Sequence, residues 1–142
     1  MESPILGVVL DSSVLIAAER AGLNTPQAVR NIRTVIGEVR IAICALTVAE
    51  IAHGIYRARS PEQAARRRQF LDELKGHLPI LPVTESTAEI VARIGAWQAA
   101  QGITVPLADL IIGATAIELG FAVGTLNVRD FRRIPGLNVL QI

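Results

Sequence analysis

Hydrophobic residues in this chain fall into two patterns. Short unbroken runs, such as residues 5–10 and 41–46, carry no polar alternation and are too brief for helices. Runs of that kind read as parallel strands buried on both faces. Between them lie longer stretches bounded by helix punctuation. Helices are predicted over about 13–21, from Asn24-Thr25-Pro26 to about residue 36 with Gly37 as the stop, over about 47–58, over 61–75 with Gly76 as the stop, over 84–100 before Gly102, and over 106–119 before Gly120. Residues 122–126 and 137–141 read as further strands. Residues 79–83 read as a short edge strand, because Pro79 and Pro82 cannot donate within a central ladder. The alternation predicts an α/β fold in one domain, residues 1–142, with a parallel sheet and right-handed crossovers.

The first strand leads straight into chemistry. Leu10 is followed by Asp11, then Ser12 and Ser13, then the apolar Val14-Leu15-Ile16. Either serine can cap the helix that follows. Asp11 is thereby placed at the carboxyl end of a strand, the edge where open α/β sheets bind ligands. Helices in such a sheet run antiparallel to the strands, so their N-termini share that edge. Glu50 lies in the first turn of the helix after the second strand, Asp109 in the first turn of the helix beginning near Pro106, and Asp130 just beyond the strand ending near Leu126. All four acids are expected on one edge. Glu85 and Glu89 also begin a helix there, but behind the border strand and away from Asp11.

Gathered carboxylates repel one another and raise each other's pKa, and a divalent cation relieves this. An all-oxygen set suits Mg²⁺ or Mn²⁺ over zinc. Local physics offers competing explanations. Thr47-Val48-Ala49-Glu50 has the form of a capping box, with Leu46 and Ile51 as its hydrophobic staple, and that by itself accounts for Glu50. A surface ion pair with Arg129, Arg132 or Arg133 accounts equally well for Asp130. Asp109, among Leu107, Leu110, Ile111 and Ile112, lies beside the core rather than on a polar face. His53, one turn after Glu50, reads as a helix-surface residue.

Composition narrows the classes. Hydrophobic residues at 51% and charged residues at 19% exclude a disordered chain. A formal net charge of +1 excludes a general basic coat for nucleic acid, though not a local basic patch. The single cysteine, Cys44, sits in an apolar run as a core thiol without an internal disulfide partner, which suits a reducing compartment. The N-terminal stretch has no basic region and Asp11 interrupts it, so no secretory leader is expected. No uncharged apolar run approaches the ~18 residues that would span a membrane. A cytoplasmic protein is expected. There is no Gly-x-x-x-x-Gly-Lys loop, no Gly-x-Gly-x-x-Gly turn and no Gly-x-Ser-x-Gly elbow. The only lysine, Lys75, lies in a charged helix. Phosphate-receiver and haloacid-dehalogenase-type domains, which need a strand-end lysine, are therefore excluded.

Four stretches resemble the PIN-domain ribonucleases, specifically the VapC-like toxins of type II toxin–antitoxin modules. They are Leu10-Asp11-Ser12-Ser13-Val14-Leu15-Ile16, then Thr47-Val48-Ala49-Glu50-Ile51-Ala52-His53-Gly54, then Pro106-Leu107-Ala108-Asp109 with the residues to Ala116, then Thr125-Leu126-Asn127-Val128-Arg129-Asp130-Phe131. Their order and separations make the resemblance specific. It implies a three-layer α/β/α fold with a parallel sheet of four to five strands. It also implies a metal-dependent endoribonuclease using Mg²⁺ or Mn²⁺, with Asp11 and Asp109 as metal ligands, Glu50 as the third core acid and Asp130 as a peripheral one. Ser12, Thr125, Asn127 and Arg129 are implied to bind substrate or position water. Arginines, among them Arg57, Arg59, Arg66, Arg67, Arg68, Arg132 and Arg133, are expected to hold the RNA backbone, although the triple run of residues 66–68 reads by itself as solvated helix. Leu126 departs from the pattern, since many relatives carry arginine there. The implied partners are an RNA substrate, a small antitoxin, operator DNA only through the antitoxin complex, and a second copy in a homodimer. The alternatives are a PIN-like module that binds RNA or protein without cleaving, and a PIN nuclease of RNA processing.

Overall fold

The computed structural model describes residues 5–142. Residues 1–4, the start of the N-terminal stretch considered above, lie outside the described residues. In chain order the elements are β1 (Gly7–Leu10), α1 (Ser12–Arg20), α2 (Thr25–Ile36), β2 (Arg40–Cys44), α3 (Ala45–Tyr56), α4 (Pro61–His77), β3 (Ile80–Leu81), α5 (Glu85–Ala100), α6 (Leu107–Leu119), β4 (Ala122–Thr125), α7 (Val128–Phe131) and β5 (Val139–Gln141). The five strands form one sheet in the order β3-β2-β1-β4-β5, and every pairing is parallel.

β1 is the middle strand. Val8 faces Ile41 on one side and Ala122 on the other. Successive side chains of a strand point to opposite faces. Val8 and Leu10 accordingly enter a core with Leu15, Ile32, Ile51, Phe70 and Leu71, while Val9 enters a second core with Ile94, Leu110, Ile112, Val123 and Phe131. Both faces of the sheet are covered by helices, which gives three layers. From β1 the chain passes to β2 and β3 on one side, and only later to β4 and β5 on the other. The junction of β1 and β4 is therefore a topological switch point, the place where open α/β sheets bind ligands at the strands' carboxyl ends.

Local chemistry explains most boundaries. Asn24 accepts from Gln27 N and Gln27 bonds back to Asn24 N, a capping box that starts α2 beside Pro26. Ser60 caps α4 ahead of Pro61. Gly120 adopts φ 69°, the left-handed turn that ends α6. Thr84 and Thr87 cap α5, and the buried Thr87 hydroxyl donates to Glu118, joining α5 to α6.

Several boundaries differ from expectation. Neither Ser12 nor Ser13 caps α1, because the helix already begins at Ser12 and Asp11 occupies the cap position. α3 begins at Ala45, not at 47, so Thr47 is inside its first turn and cannot cap it. No side chain caps that helix, and the capping-box explanation of Glu50 fails. The apolar run continues from strand into helix without a break, which periodicity cannot divide. Gly76 does not stop α4. The helix runs on to His77 because Leu74 and Leu78, either side of Gly76, stay buried in the core. The short α7 was not expected; four residues are too few to show a period. Cys44 is buried and free. No helix among the described residues is long and apolar enough to cross a membrane.

Candidate active site

Asp11 lies at the end of β1 and is only 7% exposed. Its backbone N–H donates to the Gly124 carbonyl at 2.9 Å, which ties the strand end to β4. Two hydroxyls converge on one oxygen of its side chain. Ser13 Oγ donates to Asp11 Oδ2 at 2.8 Å, and Thr125 Oγ1 donates to the same atom at 2.9 Å. Each hydroxyl is itself oriented by a backbone donor, Leu126 N–H to Ser13 Oγ at 3.2 Å and Asn127 N–H to Thr125 Oγ1 at 3.0 Å. With their acceptor sites taken by these amides, both hydroxyls point their protons at the carboxylate. Both bonds fall on Oδ2 and neither uses Oδ1.

The other acids come from different elements, near enough for their charges to act on one another. Glu50 is in α3, Asp109 in the first turn of α6, and Asp130 in α7. Asp109 is pushed up to about 6, first by burial, then by the negative charges of Asp11, Asp130 and Glu50. The Glu50 carboxyl is also raised, by burial and by Asp11, with the Ser12 hydroxyl pulling the other way. No lysine or arginine contributes to either shift. The site is thus a pool of negative charge that the protein does not neutralise.

The placement of the remaining expected residues is uneven. Ser12, buried in the first turn of α1, bears on Glu50 rather than on Asp11. Thr125 is fully buried and engaged as described. Asn127 enters through its backbone amide, and its side chain makes no cap bond. Arg129 is exposed on α7, and Leu126 is exposed at the lip of the site. His53 is exposed. Ser13 was not singled out by sequence, although a hydroxyl two residues after an acid commonly folds back onto it. Thr47 lies within α3 and does not cap it. It is fully buried, and its Oγ1 has no hydrogen-bond partner; the same is true of Oε1 of Glu50, one turn further along α3.

A divalent cation fits this donor set. The groups are all oxygen, mutually repelling, and include a buried carboxylate oxygen without a partner. Among the described residues no three acid, histidine or cysteine side chains already close into a metal cage.

The PIN domain family profile matches residues 8–137, and the chain belongs to the PIN-domain family. Within that family it is similar to proteins named VapC. Ribonuclease VapC1 of Rickettsia felis is 34% identical over 137 residues, covering 96% of this chain and 97% of the relative. The tRNA(fMet)-specific endonuclease VapC of Salmonella typhimurium is 28% identical over 116 residues, covering 82% of this chain and 85% of the relative. Among solved structures, VapBC-5 of Mycobacterium tuberculosis, a member of the VapBC family of toxin–antitoxin systems, superposes with a TM-score of 0.73 at 28% identity, covering 96% of this chain and 98% of the other.

Proposed function

We propose that the chain acts as a single PIN domain, residues 1–142, that is the toxin of a type II toxin–antitoxin pair and a Mg²⁺- or Mn²⁺-dependent endoribonuclease. The observation that supports the reading is the mutual repulsion of Asp11, Glu50, Asp109 and Asp130, to which no lysine or arginine offers relief. The names of the relatives, ribonuclease VapC and tRNA(fMet)-specific endonuclease, support RNA as the substrate.

Asp11 and Asp109 would hold the metal. A divalent cation, when bound, supplies charge neutralisation at the phosphate and an acidified water. Ser13 and Thr125 fix the Asp11 carboxylate through Oδ2. Glu50 in its ionised form takes a proton from the attacking water, Ser12 steadies it, and the departing ribose oxygen is protonated from solvent. Attack is in line on phosphorus, and the P–O bond opposite breaks. Asp130 orients the water, and the exposed Arg129 and Asn127 meet the nucleic acid backbone at the rim.

The description of VapBC-5 as part of a toxin–antitoxin system supports a small antitoxin as partner. Operator DNA would be bound by that complex, since a net charge of +1 gives this chain no basic coat. A homodimer would use the face of α5 where Trp97 is 47% exposed beside Arg93 and Pro135. The buried free thiol of Cys44 suits the cytoplasm.

The test is cleavage of transfer RNA by the purified chain with Mg²⁺ or Mn²⁺. Asp11→Asn and Asp109→Asn should abolish cleavage and growth arrest together. Undiminished cleavage by both variants would refute the assignment of the site.

A further inference from the structure

Arg66, Arg67 and Arg68 follow one another on α4, and the fold sends them three ways. Arg68 pairs with Asp72 at 3.6 Å and reaches the Tyr56 hydroxyl at 3.5 Å. Arg66 lines a separate cleft with Gln69 and Glu73. Arg67 turns towards α3, where its Nη1 donates to the Gly54 carbonyl at 2.6 Å. Its side chain is half-buried in a cleft that also holds Glu19, Arg20 and Glu50 and is floored by Leu15, Ile51 and Phe70.

The position is specific. Gly54 lies one helical turn beyond Glu50 on the same face of α3, a rise of about 6 Å. Arg67 is therefore anchored one turn from an acid of the catalytic cluster, at a separation that a single nucleotide step bridges. Among the described residues no carboxylate lies within salt-bridge distance of it. A guanidinium carries five N–H donors, and one is spent on Gly54. Glu19, Arg20 and Glu50 share the cleft, but none forms an ion pair with Arg67, so the half-buried guanidinium keeps donors free for an anion from outside. Its planar fork matches a phosphate, and the Gly54 tether holds it in place before the ligand arrives.

We infer that Arg67 forms a second phosphate subsite, which takes the phosphodiester next to the one that is cut. The inference rests on the ribonuclease reading and deepens it: the substrate is gripped at two consecutive phosphates, one at the acids and one at Arg67. Of the triple run, only the middle arginine belongs to the site.

The experiment uses short oligoribonucleotides in which a neutral methylphosphonate replaces the phosphate immediately 5′ or immediately 3′ of the scissile one. With the wild-type chain, one of the two replacements should raise KM on the order of tenfold, the loss of one charge-assisted contact. Arg67→Gln should show that loss with the unmodified oligonucleotide and none further with the neutral linkage. Arg67→Lys, which keeps the charge without the fork, should fall between. The slope of log affinity against log salt should drop by about 0.7 in Arg67→Gln, the value for one phosphate contact on a single strand. Indifference of the wild type to both replacements would overturn the subsite whatever the variants do. So would losses from Arg67→Gln and the neutral linkage that simply add. Anisotropy with an uncleavable 2′-O-methylated oligonucleotide separates the two failures. Binding that depends on Arg67 without cleavage sinks the ribonuclease reading alone, and cleavage without Arg67 dependence sinks the subsite alone.

Discussion

Thr125 and Asp11 stand 114 residues apart in the chain and 2.9 Å apart in space, with the buried hydroxyl of one donating to Oδ2 of the other. Ser13 donates to the same oxygen from two residues away. The carboxylate at the centre of the site is thus clamped once by its own helix and once by the neighbouring strand. A clamp on one oxygen sets the direction in which the other faces.

Thr125→Val and Ser13→Ala should therefore each weaken metal binding and cleavage while leaving the fold intact. A hydrogen bond to a charged group contributes about 1.5–3 kcal/mol, so a loss on the order of tenfold or more is expected from each. Thr125→Ser keeps the donor and should retain most of the activity. Calorimetric titration with Mn²⁺ alongside cleavage rates gives the comparison, and wild-type affinity in Thr125→Val would exclude the clamp.

Asp109 makes the metal-free protein sensitive to pH. Folded, it holds its proton up to about pH 6, whereas its ordinary value is near 3.8. Between those values the folded state binds more protons than the unfolded one, so stability falls as pH rises through the interval. Glu50 is shifted in the same direction and adds to the trend. Without metal, the melting temperature should drop by a few degrees from about pH 4 to about pH 7, and Asp109→Asn should flatten the drop. Protons and metal compete for the same oxygens, so Mn²⁺ affinity should be weaker at about pH 5 than at about pH 7.5.

Thr47→Val distinguishes two places for the start of α3. Were Thr47 the helix cap, losing its oxygen would destabilise the fold by about 1 kcal/mol. In the structure its hydroxyl is buried without a partner, so a methyl of the same shape relieves a desolvated polar atom. The urea midpoint of Thr47→Val should rise or stay level, and a clear fall would return Thr47 to the cap.

That helix marks the limit of what the sequence made legible. The strand ending at Asp11 and the helix between Pro106 and Gly120 were readable because their signals are local: an unbroken apolar run, a proline start, a glycine stop. The four acids could be put on one edge because parallel α/β geometry fixes where helices begin. Thr47 and Glu50 misled because their spacing satisfies a cap pattern wherever the helix starts, and the start depends on β2 docking between β1 and β3. Ser12 and Ser13 are indistinguishable as neighbours. Which one meets Asp11 is decided by Thr125 and Leu126, far along the chain. The division of labour among Arg66, Arg67 and Arg68 likewise depends on α3, not on their own helix.

The central place of β1 has a consequence for the chain as it is made. Asp11 is synthesised more than a hundred residues before β4, the strand that completes its surroundings, and β1 pairs with β4 directly. A polypeptide halted before β4 contains Asp11, Glu50 and Asp109 but neither the Thr125 hydroxyl nor Asp130. Pairings across such a separation form slowly compared with local helices. A chain halted before β4 therefore carries three of the acids without the hydroxyl that holds the Asp11 carboxylate in place.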